Sequence, residues 1–367
     1  MKIKTIYIDD DKRDLKKYKR KFEDDARSKN KFDIATINVQ KKLKNLLDEV
    51  EEQKPELILV DFKLDKPKDD ILIGISGITL STALRERFLD IPIVLFTRKD
   101  VFSIEKYPFK KGFATNLDGF IYKRDLFKKE ENLDSLYELA IGFKKLRETR
   151  PKKWNNLFKL LGAPEDEYEH LRLSNPSMVT KEGNNEWSVS DAANWIRNIL
   201  IKYPGILYDP MWSATFLGIS IKEFSSDVVQ KFFAEARYTS ILSPPEGRWW
   251  RSKLHKIALS IMNEKDMNLS LQNGFPQAWE RENKEEIERS KCIFSGESPA
   301  DWVCYILNKP VKIKYSLSYR PDSRPEVMDE ARVSFTAIIN SNEVDDELFY
   351  PLGRDMLPKI RDIQEEG

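Results

Sequence analysis

The stretch Leu57-Ile58-Leu59-Val60-Asp61 decides the fold predicted for the first third of this 367-residue chain. Four apolar, strand-forming residues run directly into a carboxylate, and charged segments of helical pattern flank them. Short apolar runs that alternate with helices are typical of buried parallel strands in an open α/β sheet. Three further runs end on polar residues in the same way: Thr5-Ile6-Tyr7-Ile8 before Asp9-Asp10, Ile93-Val94-Leu95-Phe96 before Thr97, and Gly119-Phe120-Ile121-Tyr122 before Lys123.

The polar residues that end these strands are predicted to form one site. Open α/β sheets bind ligands outside the carboxyl ends of their strands, so the side chains would converge there. Three carboxylates, a hydroxyl and an ammonium suit a hard divalent cation together with a phosphoryl group. A single aspartate after a strand would as readily be a helix cap, as Asp11 could be for the first helix. Five such positions in series favour a functional site over capping alone.

In order and spacing, these residues resemble the receiver domain of bacterial two-component response regulators. The resemblance covers residues 1–147 and implies a doubly wound, five-stranded parallel sheet of flavodoxin-like type. It implies that Asp61 accepts a phosphoryl group from a histidine kinase or phosphotransfer protein, and that Thr97 and Lys123 contact that group. It also implies an aromatic switch at Phe120 and Mg²⁺ as cofactor, with these ligands: Asp9, Asp10, Asp61 and the backbone carbonyl of Lys63. The metal would offset the repulsion between a carboxylate and a phosphate.

The sequence departs from this family at three places near the site. The loop 62–76 is longer than usual, and it could shield the phosphoacceptor, dock a partner or be a tolerated insertion. Arg98 and Arg124 stand where the family usually has a small residue and a proline, so a cis peptide before Arg124 is not expected. Residues 101–116 make a poor helix, because a proline and a glycine interrupt them. Since every phosphorylation residue is present, a working receiver is favoured over a degenerate one.

Composition limits the remaining function classes. Residues 1–150 hold 34 basic against 28 acidic residues, and 151–367 hold 28 against 33. The second part thus carries a net negative charge, which disfavours dominant nonspecific binding to nucleic acid. Two cysteines exclude a disulfide scaffold, and the chain has neither a run of 18 apolar residues nor a signal-peptide pattern. We expect a cytoplasmic protein without a membrane partner.

The clearest domain boundary lies at residues 147–153, where charged residues and a proline end the last receiver helix. Residues 148–187 are predicted to be an irregular connection, and 188–367 a mainly helical α+β output domain of unrecognised type. The apolar periodicity predicts helices over 191–201, capped by Ser190, and over 226–238, 247–263 and 277–290. Alternation at 311–319 and 333–337 predicts an antiparallel strand pair.

Three patterns in the second part could carry chemistry, and each has a simpler structural explanation. Ala214 and Gly218 fit the core of a DNA-binding helix-turn-helix, but no arginine follows to read bases, which favours a packing corner. Trp249-Trp250 could stack on nucleotide bases, but the apolar face that follows favours burial. Cys292 and Cys304 lack the close spacing of zinc ligands, so buried thiols are expected.

The sequence therefore predicts a response regulator in which phosphorylation of Asp61 shifts a population of states and switches a carboxyl-terminal interaction domain. A DNA-binding transcription regulator, and a receiver-controlled enzyme acting on nucleic acid or nucleotides, remain as alternatives. We recognise no catalytic motif in 148–367, so an output enzyme is not favoured. The sequence determines neither the kinase, nor the output target, nor whether the chain forms a homodimer.

Overall fold

The computed structural model describes these residues: 2–39, 42–64, 76–98, 117–128, 130–149, 154–174, 188–321 and 324–362. The chain divides into two compact units. The first comprises Met1–Lys152 with Asn184–Ile196, and the second comprises Lys153–Gly183 with Arg197–Gly367. None of the described helices is long and apolar enough to cross a membrane.

The first unit is an open parallel sheet flanked by helices. Its strands are β1 (Ile3–Asp9), β2 (Phe32–Asn38), β3 (Leu57–Val60), β4 (Ile93–Thr97) and β5 (Gly119–Tyr122). Its first helices are α1 (Lys12–Asp24), α2 (Leu43–Glu52), α3 (Gly77–Arg87) and α4 (Glu130–Thr149). Every strand pair is parallel, in the order β2-β1-β3-β4-β5. This is the flavodoxin-like, doubly wound order, and it confirms the fold predicted for this part of the chain.

Burial on both faces of the sheet explains why the strands read as continuous apolar runs. All four residues of β3 are fully buried. Helix α1 begins after Asp11, whose side chain accepts a hydrogen bond from the backbone of Arg13, as its predicted capping role requires. Residues 65–75, most of the long loop, and the predicted poor helix at 101–116 lie outside the described residues.

Where the predicted irregular connection is described, it is helical. It contains α5 (Trp154–Leu160), a 3₁₀ turn (Glu165–Glu167) and α6 (Tyr168–Leu173), all in the second unit. Residues 175–187 lie outside the described residues. The helix predicted to open the output domain is α7 (Val189–Trp195), which belongs to the first unit and packs against α4. Its cap is Ser188, not Ser190, because Ser188 and Asp191 form a reciprocal capping box.

The second unit is mainly helical with short antiparallel strands, as predicted. Its strands are β6 (Leu207–Tyr208), β7 (Trp249–Trp250), β8 (Trp302–Val303), β9 (Pro310–Val311), β10 (Ser316–Tyr319) and β11 (Ala331–Ser334). Its remaining helices are α8 (Pro210–Leu217), α9 (Ile221–Phe224), α10 (Asp227–Phe232), α11 (Arg251–Leu259), α12 (Glu264–Met267), α13 (Leu271–Asn283), α14 (Phe335–Asn340) and α15 (Pro351–Asp362). The pairs are β6–β7, β8–β9 and β10–β11. The last of these is the predicted antiparallel pair, but its first strand begins at Ser316 and not at residue 311, because Val311 belongs to β9 and a 3₁₀ turn (Ile313–Tyr315) lies between the two strands.

Several helices of the second unit are shorter than predicted. The helix predicted over 226–238 ends at Phe232 and is followed by a 3₁₀ turn, and Val228 on it is 63% exposed. The helix predicted from residue 247 starts at Arg251, since the two residues before it pair with β6. The strand expected through 337 stops at Ser334, whose side chain caps α14. Tertiary pairing and capping here override helix and strand periodicity.

Candidate functional site

The strand register brings the predicted site residues to one edge of the sheet. Ile8 pairs with Val60, and Thr97 with Tyr122, so the residues at the carboxyl ends of β1, β3, β4 and β5 lie side by side. The four central side chains are all buried: Asp9, Asp61, Thr97 and Lys123. A lysine with this little exposure needs compensating negative charge, because an isolated buried ammonium is strongly disfavoured.

Three carboxylates provide that charge for Lys123. Its Nζ lies 2.5 Å from Asp61 Oδ1, 2.9 Å from Asp9 Oδ2 and 3.3 Å from Asp14 Oδ2. The backbone of Lys123 is fixed as well, since its N–H donates to the carbonyl of Thr97 at 2.7 Å. The lysine that follows β5 is therefore held at the phosphoacceptor position by both its main chain and its side chain.

Each aspartate of the central pair has further donors. One oxygen of Asp9 accepts from the Tyr7 hydroxyl as well as from Lys123, and the other accepts from the Asp11 backbone N–H at 2.8 Å. Asp61 Oδ2 accepts from the Lys63 backbone N–H at 2.9 Å. Lys63, the residue predicted to offer its carbonyl to a metal, thus contacts the site through its backbone N–H.

Two other predicted residues lie at the margin of this cluster. Asp10 is half-buried, and its backbone carbonyl accepts from Asn38 Nδ2 at 3.1 Å. Phe120, the predicted switch, lies on β5 with 38% of its surface exposed. In the part of the chain that is described, the cis peptide bond is Ser298–Pro299, so the bond before Arg124 is trans, as expected.

Sequence reasoning missed two residues of the site. Asp14 contacts Lys123 and also accepts from Arg98 Nη2 at 2.9 Å, and Tyr7 donates to Asp9. Asp14 carries a signal in the sequence, since it lies four residues before Tyr18 on the apolar face of α1. Tyr7 lies two residues before Asp9 on the same face of β1. Charged and hydroxyl groups on core-facing positions were the available clue.

The electrostatics single out Asp61. Burial raises the pKa of Asp61 to about 6, and the negative charge of Asp9 adds to this while Lys123 opposes it. Burial alone would lower the pKa of Lys123, but the carboxylates of Asp61 and Asp9 outweigh it and raise the pKa. Burial likewise acts to raise the pKa of Asp14, yet Lys123 and Arg98 hold it below its usual value. Lys123 therefore favours the ionised, nucleophilic form of Asp61.

The donor set suits a hard cation chemically, because carboxylate oxygens are the ligands that Mg²⁺ prefers. In this structure, the positive charge between the carboxylates of Asp9 and Asp61 is the ammonium of Lys123. Among the described residues, no three acidic, histidine or cysteine side chains are grouped as metal ligands. A divalent ion at this edge would share the carboxylates of Asp9 and Asp61 with Lys123.

These features define the class of the first unit: a doubly wound α/β domain with an acid–lysine site at the carboxyl edge of its sheet. Solved structures similar to this chain include the response-regulator receiver domain from Clostridium thermocellum, which is 16% identical and matches 40% of this chain and 98% of that chain with a TM-score of 0.29. Another is the receiver domain from Methanospirillum hungatei, which is 19% identical and matches 40% of this chain and 98% of that chain with a TM-score of 0.29. A further one is the response regulator TrrA from Thermotoga maritima in complex with Mg²⁺–BeF. It is 17% identical and matches 37% of this chain and 99% of that chain with a TM-score of 0.27.

The similarity extends over about 40% of the chain, and the sequence predicted a receiver domain over residues 1–147. At these identities it concerns the fold alone, and the fold assignment itself rests on the observed strand order. The rest of the chain is not recognised. No protein-family model and no curated protein matched the sequence.

The other patterns singled out in the sequence have structural roles. The helix-turn-helix pattern forms a corner in which α9 has four residues, and a Cβ on Gly218 would lie 2.1 Å from the carbonyl oxygen of Gln272. A four-residue helix offers little surface for a DNA groove. Both tryptophans of β7 are buried. Cys292 and Cys304 are free, buried thiols, and their sulfurs accept hydrogen bonds from the backbones of Lys312 and Ser334.

Proposed function

We propose that this chain is a two-component response regulator in which Asp61 accepts a phosphoryl group from a histidine kinase or a phosphotransfer protein, in the bacterial cytoplasm. The observation that carries the proposal is the 2.5 Å contact between Lys123 Nζ and Asp61 Oδ1 at the carboxyl edge of the sheet. An ammonium beside the attacking oxygen offsets the repulsion met by an incoming phosphoryl group. After transfer, the same ammonium can form charge-assisted hydrogen bonds to phosphoryl oxygens.

In the proposed reaction, an oxygen of the Asp61 carboxylate forms a bond to phosphorus while the bond from phosphorus to the donor breaks. The electron pair of that bond leaves with the donor, and Asp61 becomes an acyl phosphate. The Thr97 hydroxyl would donate to a phosphoryl oxygen. Mg²⁺, held by Asp9, Asp10, Asp61 and the Lys63 carbonyl, would supply charge neutralisation for the phosphoryl oxygens.

The contacts of the first unit suggest how the change would spread. The Lys123 N–H is hydrogen-bonded to the Thr97 carbonyl at the end of β4, so drawing Lys123 toward a phosphoryl group would act on both β5 and β4. At the start of β5, Asp118 pairs with Arg85, which also donates to Ser190 in α7. Phe120 would turn inward from its exposed position. We propose that α7 and α4 transmit the change to an output that acts through a protein partner.

Treatment with acetyl phosphate and Mg²⁺, followed by intact-mass spectrometry, tests the proposal. One phosphoryl group should be added to the full chain, and Asp61→Asn should abolish the addition. Asp33→Asn is the matched control, since Asp33 is an exposed aspartate on β2 and should leave labelling unchanged. Labelling that persists in Asp61→Asn would place the acceptor elsewhere. Absence of labelling in the wild type would identify the first unit as a degenerate receiver.

A further inference from the structure

The side chain of Tyr7 carries a buried hydroxyl that the proposed function does not use. Tyr7 lies on β1 without exposed surface, two residues before Asp9 and on the same face of the strand. Its hydroxyl donates a hydrogen bond to Asp9 Oδ2. Apolar side chains fill the buried positions on either side, Ile6 and Ile8, so packing alone does not require a polar group here. The hydroxyl therefore indicates a role in the site as well as in the core.

Two donors share one oxygen of Asp9. Oδ2 accepts from the Tyr7 hydroxyl and from Lys123 Nζ, the latter at 2.9 Å, while Oδ1 accepts from the Asp11 backbone N–H at 2.8 Å. A carboxylate oxygen has about two lone pairs, so these two donors occupy the accepting capacity of Oδ2. Asp9 is thus fixed by three donors, and the Tyr7 hydroxyl limits the strength with which Asp9 holds the ammonium of Lys123.

The ring of Tyr7 lies against the same ammonium. Lys123 Nζ is 5.3 Å from the centroid of the Tyr7 ring, and it is 5.5 Å from that of Tyr18 and 5.8 Å from that of Phe96. These three buried rings, the aromatic cluster, contact one another edge to face with centroids 5.1–6.2 Å apart. Ring faces attract a cation at such distances. The aromatic cluster therefore holds the ammonium through its ring faces and keeps it in surroundings of low dielectric constant.

The position of the ammonium is a balance between carboxylates. An ammonium has three N–H donors, and Lys123 has three carboxylate partners: Asp61 at 2.5 Å, Asp9 at 2.9 Å and Asp14 at 3.3 Å. Loss of the Tyr7 hydroxyl would leave Lys123 as the one described donor to Asp9 Oδ2, so Asp9 would attract the ammonium more strongly. The contact between Lys123 and Asp61 would weaken in return.

We propose that Tyr7 is a positioning residue of the phosphoryl-transfer site, whose hydroxyl and ring together keep the ammonium of Lys123 directed at Asp61. The hydroxyl reduces the hold of Asp9 on the ammonium, and the ring face stabilises the ammonium beside Asp61. Tyr7 acts through Asp9 and Lys123 and is not itself a reacting group. The inference rests on the proposed function, because Lys123 is the residue that would contact the phosphoryl group.

Labelling of the full chain by acetyl phosphate at a saturating concentration of Mg²⁺ tests the proposal, with the rate followed by intact-mass spectrometry. Tyr7→Phe removes the hydroxyl and keeps the ring, and it should slow labelling about tenfold, the rate equivalent of one charge-assisted hydrogen bond. Tyr7→Leu removes the ring as well and should slow labelling further. Rates are compared at a temperature at which circular dichroism shows each variant to be folded, and Tyr7→Phe carries the test if Tyr7→Leu does not fold.

Tyr18→Phe is the matched control. Tyr18 belongs to the same aromatic cluster and is also buried, but among the described residues its hydroxyl donates to none of the site carboxylates. This variant should be labelled at the wild-type rate. Fluorine NMR of the full chain with beryllofluoride and Mg²⁺ gives a second measurement, in which Tyr7→Phe should shift the resonances of the bound phosphoryl mimic and Tyr18→Phe should not. A purely structural role of Tyr7 would change the unfolding midpoint and leave these resonances in place.

Labelling of Tyr7→Phe at the wild-type rate would overturn the inference and leave the proposed function standing. Equal slowing by Tyr7→Phe and Tyr18→Phe would also overturn it, since the packing of the aromatic cluster would then be the cause. A wild type that accepts no label overturns the proposed function, and this inference with it.

Discussion

The ammonium of Lys123 lies 2.5 Å from Oδ1 of Asp61, inside a cluster that also includes the carboxylates of Asp9 and Asp14. One buried cation thus compensates several buried anions. Removal of one partner of a buried ion pair costs far more than the pair itself contributes, because the other charge remains without compensation. Lys123 is therefore both a candidate phosphoryl-binding group and a structural requirement of the resting site.

Substitution of Lys123 by Met should lower the free energy of unfolding by about 3–5 kcal/mol at pH 7, because three carboxylates lose their shared cation. Urea denaturation followed by circular dichroism measures the change. Lys144→Met is the control, since Lys144 pairs with Glu56 at 2.6 Å in the same unit and away from the site. Lys144→Met should lower the free energy of unfolding clearly less than Lys123→Met does.

Added Mg²⁺ should restore part of the stability lost in Lys123→Met, because a divalent ion can replace the missing charge among the carboxylates. The gain should be larger in this variant than in the wild type, in which Lys123 competes for the same oxygens. If Mg²⁺ leaves the unfolding midpoint of Lys123→Met unchanged, these carboxylates do not bind the metal.

Stability should depend on the ionisation of Asp61. Its pKa is raised in the folded state from an ordinary value of 3.8 to about 6. The folded state therefore binds this proton more tightly than the unfolded state does. The stability that the protonated Asp61 contributes is fully present below pH ~4 and is lost as the pH rises through ~6. Asp61→Asn mimics the neutral form and should be more stable than the wild type at pH 7, by ~3 kcal/mol at most. The difference should vanish near pH 4, and an equal difference at both pH values would contradict the assignment.

Gly77, the first residue of α3, should not tolerate a side chain. A Cβ at this position would lie 1.9 Å from the Asp61 carbonyl oxygen and 2.8 Å from the Phe62 Cα. Gly77→Ala should therefore displace the Asp61 backbone and destabilise the fold by ~1–3 kcal/mol. It should also slow the labelling of Asp61 by acetyl phosphate.

Gly119→Ala is the matched control for that substitution, because its Cβ would meet the Val94 methyl groups at 3.8 Å, an ordinary contact. It should be neutral or slightly stabilising. Equal effects of the two alanines on stability and labelling would mean that the close approach to Asp61 is not the cause.

Helix α7 should stabilise the first unit although it lies far along the sequence. The Ser190 N–H donates to the Leu89 carbonyl at 3.1 Å, and the Val189 N–H donates to Asp90 Oδ1 at 3.2 Å. A fragment of residues 1–200 should therefore unfold at a higher urea concentration than a fragment of residues 1–152. A fragment of residues 1–183, which adds chain without α7, should behave like 1–152. Equal midpoints for all three would show that α7 does not stabilise the unit.

The strand ends of the first unit could be predicted because their signal is local. An apolar run followed at once by a polar residue fixes both a buried strand and the side chain at its end, as in β3 followed by Asp61. Parallel order then places such ends at one edge. The same reasoning identified Lys123 and Thr97, and it needed no knowledge of the remaining contacts.

The second unit was harder to predict because its elements are short and depend on contacts between distant residues. The Trp249–Trp250 pair forms a strand only because Leu207–Tyr208 lies beside it. One cavity of the second unit is lined by residues near 203, 305 and 324, and no local pattern connects these positions. Short elements carry too few residues for periodicity to distinguish helix from strand.

The sequence by itself determined the open parallel sheet and the acid, hydroxyl and lysine groups at its carboxyl edge, because these follow from local hydrophobic patterns and from the alternation of strands and helices. Only the tertiary structure decided that Asp14 and Tyr7 join this site and that α7 packs against α4. Those contacts link residues that are separated in sequence, and their free energy comes from burial and charge compensation in the folded chain, which a pattern along one segment cannot specify.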